Sequence, residues 1–259
     1  MKKLLTIGLL AVAVMLSGTP AFAFSFSSSY TGPVTIYING YTEHGFGSDP
    51  QTWTVFQVSS ITGGSTTLWY QGKDGEYLNG ILYGLYDNDI TGTPPNVNIY
   101  QTGGTYSIYL ANTPMNAGTD AGELGPDQRS GNTFPTVNSG TVFLAGNLVP
   151  GIIPGDGVTT LYQEASSATV PASGSGRAYG EVLSGLYAAI FNSNGFVNGS
   201  DVKIEFSFEQ TPDETYLTSW DAELYSGSVL ARAIPEPTSM LLFGTGLFGL
   251  IGAGLRRKA

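Results

Sequence analysis

Residues 201–210 alternate with a period of two. Val202, Ile204, Phe206 and Phe208 fall on one side, and Lys203, Glu205, Ser207 and Glu209 on the other. Side chains of an extended chain point alternately to opposite faces, so this stretch predicts a strand with one face in water. Residues 34–38 repeat the pattern more weakly, with Thr35 and Tyr37 between apolar neighbours. Further strands are expected at 52–58, 66–70, 80–86, 97–100, 105–110, 141–144, 158–164, 177–183 and 220–233. These segments are rich in Thr, Tyr, Val, Ile and Phe, which suit a half-buried pleated surface. Gly, Pro, Asn, Asp and Ser punctuate them. Helical periodicity is confined to one or two turns at Ala188–Phe191. Roughly a dozen short strands with turn residues between them predict an all-β body, an antiparallel β-sandwich or jelly roll. Residues 111–140 break the rhythm with Pro114, Pro126 and Pro135 and predict one long irregular loop.

The two ends follow other patterns. Met1-Lys2-Lys3 precedes an apolar run over residues 4–16, which ends in Ala21-Phe22-Ala23. A basic start, a short apolar stretch and an Ala-x-Ala end predict a secretory signal peptide over residues 1–23, read at Ala21 and Ala23. At the other end, Pro235-Glu236-Pro237 precedes an apolar run over residues 239–255, then Arg256-Arg257-Lys258. Seventeen residues make roughly 25 Å of helix, the short limit for one membrane span. The basic tail at 256–258 would stay on the cytoplasmic side. Pro-Glu-Pro, a short Gly-rich apolar helix and a basic terminus, in that order, resemble the PEP-CTERM sorting signal. The resemblance covers residues 234–259 and leaves the body, residues 24–233, unassigned. It implies an exosortase as processing partner, with Pro235, Glu236 and Pro237 as the recognition residues. It also implies a Gram-negative source and a setting of extracellular polysaccharide or biofilm. Some family naming attaches an ice-binding label to such tails. Thr52, Thr54, Thr66 and Thr67 are scattered rather than periodic, so the body gives ice binding little support.

Charge narrows the partners. The 259 residues carry a net charge of −10, and both basic clusters lie in the terminal segments. The stretch 24–234 holds 19 acidic residues against five basic ones, a balance of −14. Such a body lacks the basic face that nucleic acid requires. There is no cysteine, which excludes thiol catalysis and Cys-ligated metal, and the single histidine excludes a multi-histidine site.

The remaining candidates are weak as chemistry. His44 is expected in a loop, and no Gly-x-Ser-x-Gly elbow accompanies it. Nineteen acids allow a glycosidase pair by chance, but none is selected by spacing. Structural calcium is conceivable at Asp87-Asn88-Asp89 or at Asp120, Glu123 and Asp127, although neither matches an EF-hand loop, while Asp74 and Glu76 flank Gly75 in an expected hairpin turn. Trp53, Trp69 and Trp220 invite a flat platform for stacking sugars, against core packing as the default for such side chains. No catalytic residue and no cofactor-binding residue is assigned. The expectation is an exported cell-surface or matrix protein, held transiently in the inner membrane. It would be structural or adhesive rather than catalytic. A polysaccharide-binding module is the alternative, and a secreted hydrolase the least favoured.

Overall fold

The computed structural model describes residues 30, 32–44, 51–116, 134, 136–168, 172–210 and 222–234. Ten strands carry the fold: β1 (Gly32–His44), β2 (Gln51–Gly63), β3 (Thr66–Tyr70), β4 (Tyr77–Thr93), β5 (Asn96–Ala111), β6 (Thr141–Val149), β7 (Leu161–Ser166), β8 (Ser173–Ser184), β9 (Val202–Gln210) and β10 (Ala222–Ala233). One short helix, α1 (Ala188–Phe191), follows β8.

The expected sandwich is not what forms. Around the ring the strands pair antiparallel, β2 with β4 because β3 lies outside the ring on β2 alone, and β1 and β10 then pair with each other, Val34 opposite Ala231. The result is an eight-lane, up-and-down closed barrel. Alternation reads the same in a sandwich and in a barrel, because both have one apolar and one wet face. Only the pairing of β1 with β10 distinguishes them, and it joins residues about two hundred positions apart. Among the described strands closure leaves only β3, paired with β2 alone, with an unpaired edge.

One lane is built from two strands. β6 and β7 run in the same direction between β5 and β8. On β8 the partner changes from Val149 at Tyr179 to Leu161 at Ala178 without a gap, so residues 150–160 leave the wall and return to it. Asp156 folds this excursion by accepting hydrogen bonds from the Val158 and Thr159 N–H groups and the Thr159 hydroxyl. Those bonds hold its carboxyl below the usual carboxylate range. Thr160 stitches the return to β5 through Gln101 and Gly103 carbonyls. β5 itself runs through Gly103 and Gly104, both at positive φ, so the two strands expected at 97–100 and 105–110 are one.

The inside is apolar. Val34, Ile36, Ile38, Phe56, Leu82, Ile204 and Leu224 belong to one continuous core, and the alternation of β9 points inward as expected. Thr35, Tyr37, Lys203 and Glu205 cover the outside. A membrane-spanning barrel has the opposite arrangement. Rings fill the interior by lying over glycines of the next strand. A Cβ on Gly80 would stand 2.3 Å from Phe56, on Gly176 2.2 Å from Phe206, and on Gly174 2.4 Å from Phe208.

A second cluster sits outside the wall. Trp53, Val55 and Ile81 point away from the barrel axis and are covered by Phe134 and Val137. Asn79 ties this cover down. Its amide donates to the Thr113 and Thr136 carbonyls, 3.0 Å each, and accepts from the Met115 N–H. The long segment after β5 is therefore anchored at both ends by the wall.

Among the described residues no helix is long and apolar enough to cross a membrane. The expected span at 239–255, the sorting residues Pro235, Glu236, Pro237, Arg256, Arg257 and Lys258, and the signal-peptide residues Ala21 and Ala23 lie outside the described residues.

Candidate functional site

Among the described residues the two ends of the barrel differ: a short helix covers one, and the other lines a concavity. At the plugged end α1 covers the core, with Ile190 and Phe191 buried. The Phe143 ring packs on Tyr187 (centroids 4.8 Å apart) and on Phe191 (6.3 Å). Asp201, buried, receives backbone N–H groups from Val182 (2.8 Å), Ser193 (2.6 Å) and Asn194 (2.7 Å). A carboxylate with that many donors is a clamp on the loop beside α1.

At the other end every lane contributes to a concavity of about 460 Å³. Thr42 comes from β1, Thr52 from β2, Asp87 from β4, Gln101 from β5, Gln163 from β7 and Gln210 from β9. Ile99, Ala165, Phe208 and Ala222 supply apolar patches between them. These positions meet only because the wall closes. They are spread over about 180 residues of chain.

A hydrogen-bonded chain organises the mouth. Gln163 Nε2 donates to Gln101 Oε1 at 2.7 Å. Gln101 Nε2 lies 2.8 Å from Asp87 Oδ1 and 3.0 Å from Thr52 Oγ1. One layer further in, the Thr54 hydroxyl donates to Thr42 Oγ1 at 3.1 Å, and Thr42 donates to the Trp53 carbonyl at 3.0 Å. Gln101 is buried, so its amide is held in one orientation by partners on three other strands. The mouth thus offers amides and hydroxyls in fixed directions, with one carboxylate and no basic side chain among its described lining residues. Tyr41, beside Thr42 but on the outer face, has its phenol pKa raised by burial and then by Glu223 opposite.

A second concavity, about 270 Å³, lies on the outer wall around Tyr162 and Arg177. Its charges are already engaged with each other. The Arg177 guanidinium stands 4.9 Å above the Tyr162 ring and 4.0 Å from Glu164. The Tyr162 hydroxyl is 2.9 Å from both Asn98 Oδ1 and Glu164 Oε1. Burial first, and then Glu164, raise its pKa.

The sequence-derived candidates are placed as follows. His44 is not in a loop; it ends β1 opposite Thr52. Asp87 is a mouth residue inside β4 rather than at a strand end, while a register shift separates it from Asp89, which pairs with Tyr100. Asp74 lies in a tight turn at φ 57°, and Glu76 follows it with a carboxyl pKa raised by burial and then by Asp74. Among the described residues no three His, Cys, Asp or Glu side chains gather to hold a metal ion. Asp120, Glu123, Asp127 and Trp220 lie outside the described residues. The tryptophan platform does not form from Trp53 and Trp69. They are 1% and 2% exposed, one in the outer cluster and one in the main core, because a large ring is worth most when buried.

Sequence reasoning missed Gln101, Gln163 and Thr42. The available signal was Gln101 at an inward-facing strand position where an apolar residue belongs, but its partner Gln163 is sixty-two residues away.

The PEP-CTERM protein-sorting motif matches residues 233–258. That motif implies export and membrane-anchored processing by an exosortase. No curated protein and no solved structure matches the chain.

Proposed function

We propose that the body is a non-catalytic glycan-binding module. It would give an exosortase-sorted protein its hold on extracellular polysaccharide at the cell surface or in the matrix. The observation that carries this reading is the convergence of Gln101, Gln163, Thr52 and Asp87 on one mouth of about 460 Å³. That volume lies within the range of about 300–1,000 Å³ common for small-molecule sites. Sugars are recognised by neutral hydrogen-bonding groups held in fixed directions, with an apolar surface for the face of the ring. Phe208, packed against Gly174, supplies such a surface. The acidic body repels polyanions, so the ligand is a neutral glycan.

The test is isothermal titration of the full chain, in mild detergent, with neutral oligosaccharides prepared from extracellular polysaccharide. Saturable binding is expected without sugar release, equally with and without a calcium chelator. Gln101→Ala should weaken it at least about tenfold, since it removes a buried amide from the site. Binding that survives this substitution intact would overturn the assignment of the mouth, and sugar release would overturn the non-catalytic reading.

A further inference from the structure

Next to the mouth, inside the barrel, lies a second space. It is a largely apolar chamber of about 50 Å³. Ile36, Ile38, Phe56, Leu82, Ile204 and Val229 are among its walls. Its hydroxyls are few: Tyr106 is bonded to the Glu181 carbonyl at 2.8 Å, and Thr54 to Thr42. Burial, with Asp201 and Glu181 adding to it, raises the Tyr106 phenol above its ordinary range, so the chamber wall is uncharged.

A void of this kind is costly. Its lining atoms lose dispersion contacts on one side, and an apolar cavity does not gain them back from water. The neighbouring interior shows that this sequence can close such gaps, since Phe206 covers Gly176 and Phe56 covers Gly80. The chamber is left unfilled next to the mouth. On three strands the lining passes from mouth to chamber in one inward step: Thr52 to Thr54, Phe208 to Phe206, and Ala222 to Leu224. Two residues of strand span about 7 Å, so one small group projecting from a ligand in the mouth reaches the chamber. A single water occupies about 10–15 Å³ on this measure of volume, so the chamber admits a group of a few heavy atoms.

We infer that the ligand is an acylated neutral glycan, with the sugar ring held in the mouth and the methyl end of a short acyl group seated in the apolar chamber. This rests on the mouth being the glycan site. The polar layer of Thr42, Thr52 and Gln101 then meets the carbonyl and ring hydroxyls, and the chamber meets only carbon.

The test compares N-acetylchitotriose with cellotriose by titration calorimetry on the full chain in mild detergent. The two trimers share a β-1,4 backbone and differ in the acetamido group. The acetylated trimer should bind about tenfold more tightly, the size expected for burying one methyl group. Filling the chamber with Val229→Phe should bring the two sugars to equal affinity. Enlarging it with Ile38→Ala should move the preference to the N-butyryl trimer, and this second variant serves if the first does not fold. Equal affinity in the unaltered protein, or a preference that survives both substitutions, overturns the inference and leaves the mouth standing. If neither trimer binds, the mouth reading falls and the inference with it.

Discussion

The plugged end and the mouth of the barrel are made from the same eight lanes, yet their polar side chains do different things. At the plugged end Asp201 faces backbone N–H groups and α1 lies over the core, so the polar atoms are consumed by the fold. At the mouth Gln101, Gln163, Thr52 and Asp87 bond to one another across strands and still border a space. A polar group bonded to the main chain holds a loop in place. A polar network that borders a cavity holds directions for something else. The difference teaches that burial of polar side chains is not itself a sign of function; what matters is whether their arrangement ends in protein or in a space.

Three substitutions test that contrast, in falling order of effect. Phe191→Ala empties the plug and should cost about 3–5 kcal/mol of stability, because a buried ring is lost and the strands cannot collapse around the gap. Thermal melting with calorimetry measures it. A loss below 1 kcal/mol would mean that α1 is not a plug. Asp201→Ala should cost about 3 kcal/mol, since several backbone donors lose a charged acceptor. Hydrogen exchange at Ser193 and Asn194 should rise well before global unfolding. Protection unchanged there would show that the carboxylate is not the clamp. Gln163→Ala at the mouth should cost only about 1 kcal/mol in urea unfolding, while glycan affinity falls. A stability loss as large as that at Asp201 would erase the distinction between the two ends.

Parts of this molecule are legible from one-dimensional pattern. The alternation of residues 201–210 predicts β9 and its inward face, and 66–70 predicts β3 to the residue. Ala188–Phe191 reads correctly as a single short helical element. Elsewhere local signals mislead for identifiable reasons. Gly103 and Gly104 read as a break between two strands, although the left-handed backbone there is absorbed inside one. Gly80 opens the strand expected at 80–86, and Gly174 and Gly176 precede the one expected at 177–183; what all three do is clear space for rings on neighbouring strands. Trp53 reads as a surface ring or a core ring and is neither in the simple sense, since it points outward and is buried by a later segment. The mouth is the least legible feature. Each of its residues is an ordinary Thr, Gln or Asp in its own strand, and none carries a local motif.

By itself the sequence determined the class of structure, the strand faces, the acidic balance and the sorting motif at the chain end. All of these are written in neighbouring residues or in simple sums over the chain. The tertiary structure alone decided that the sheet closes into a barrel, that α1 plugs one end, and that Gln101 meets Asp87, Thr52 and Gln163. The reason is physical: period-two alternation specifies which side of a strand is apolar, but strand partners are chosen by the packing of the whole apolar face. Only after β1 and β10 join do side chains far apart in sequence come to share one space.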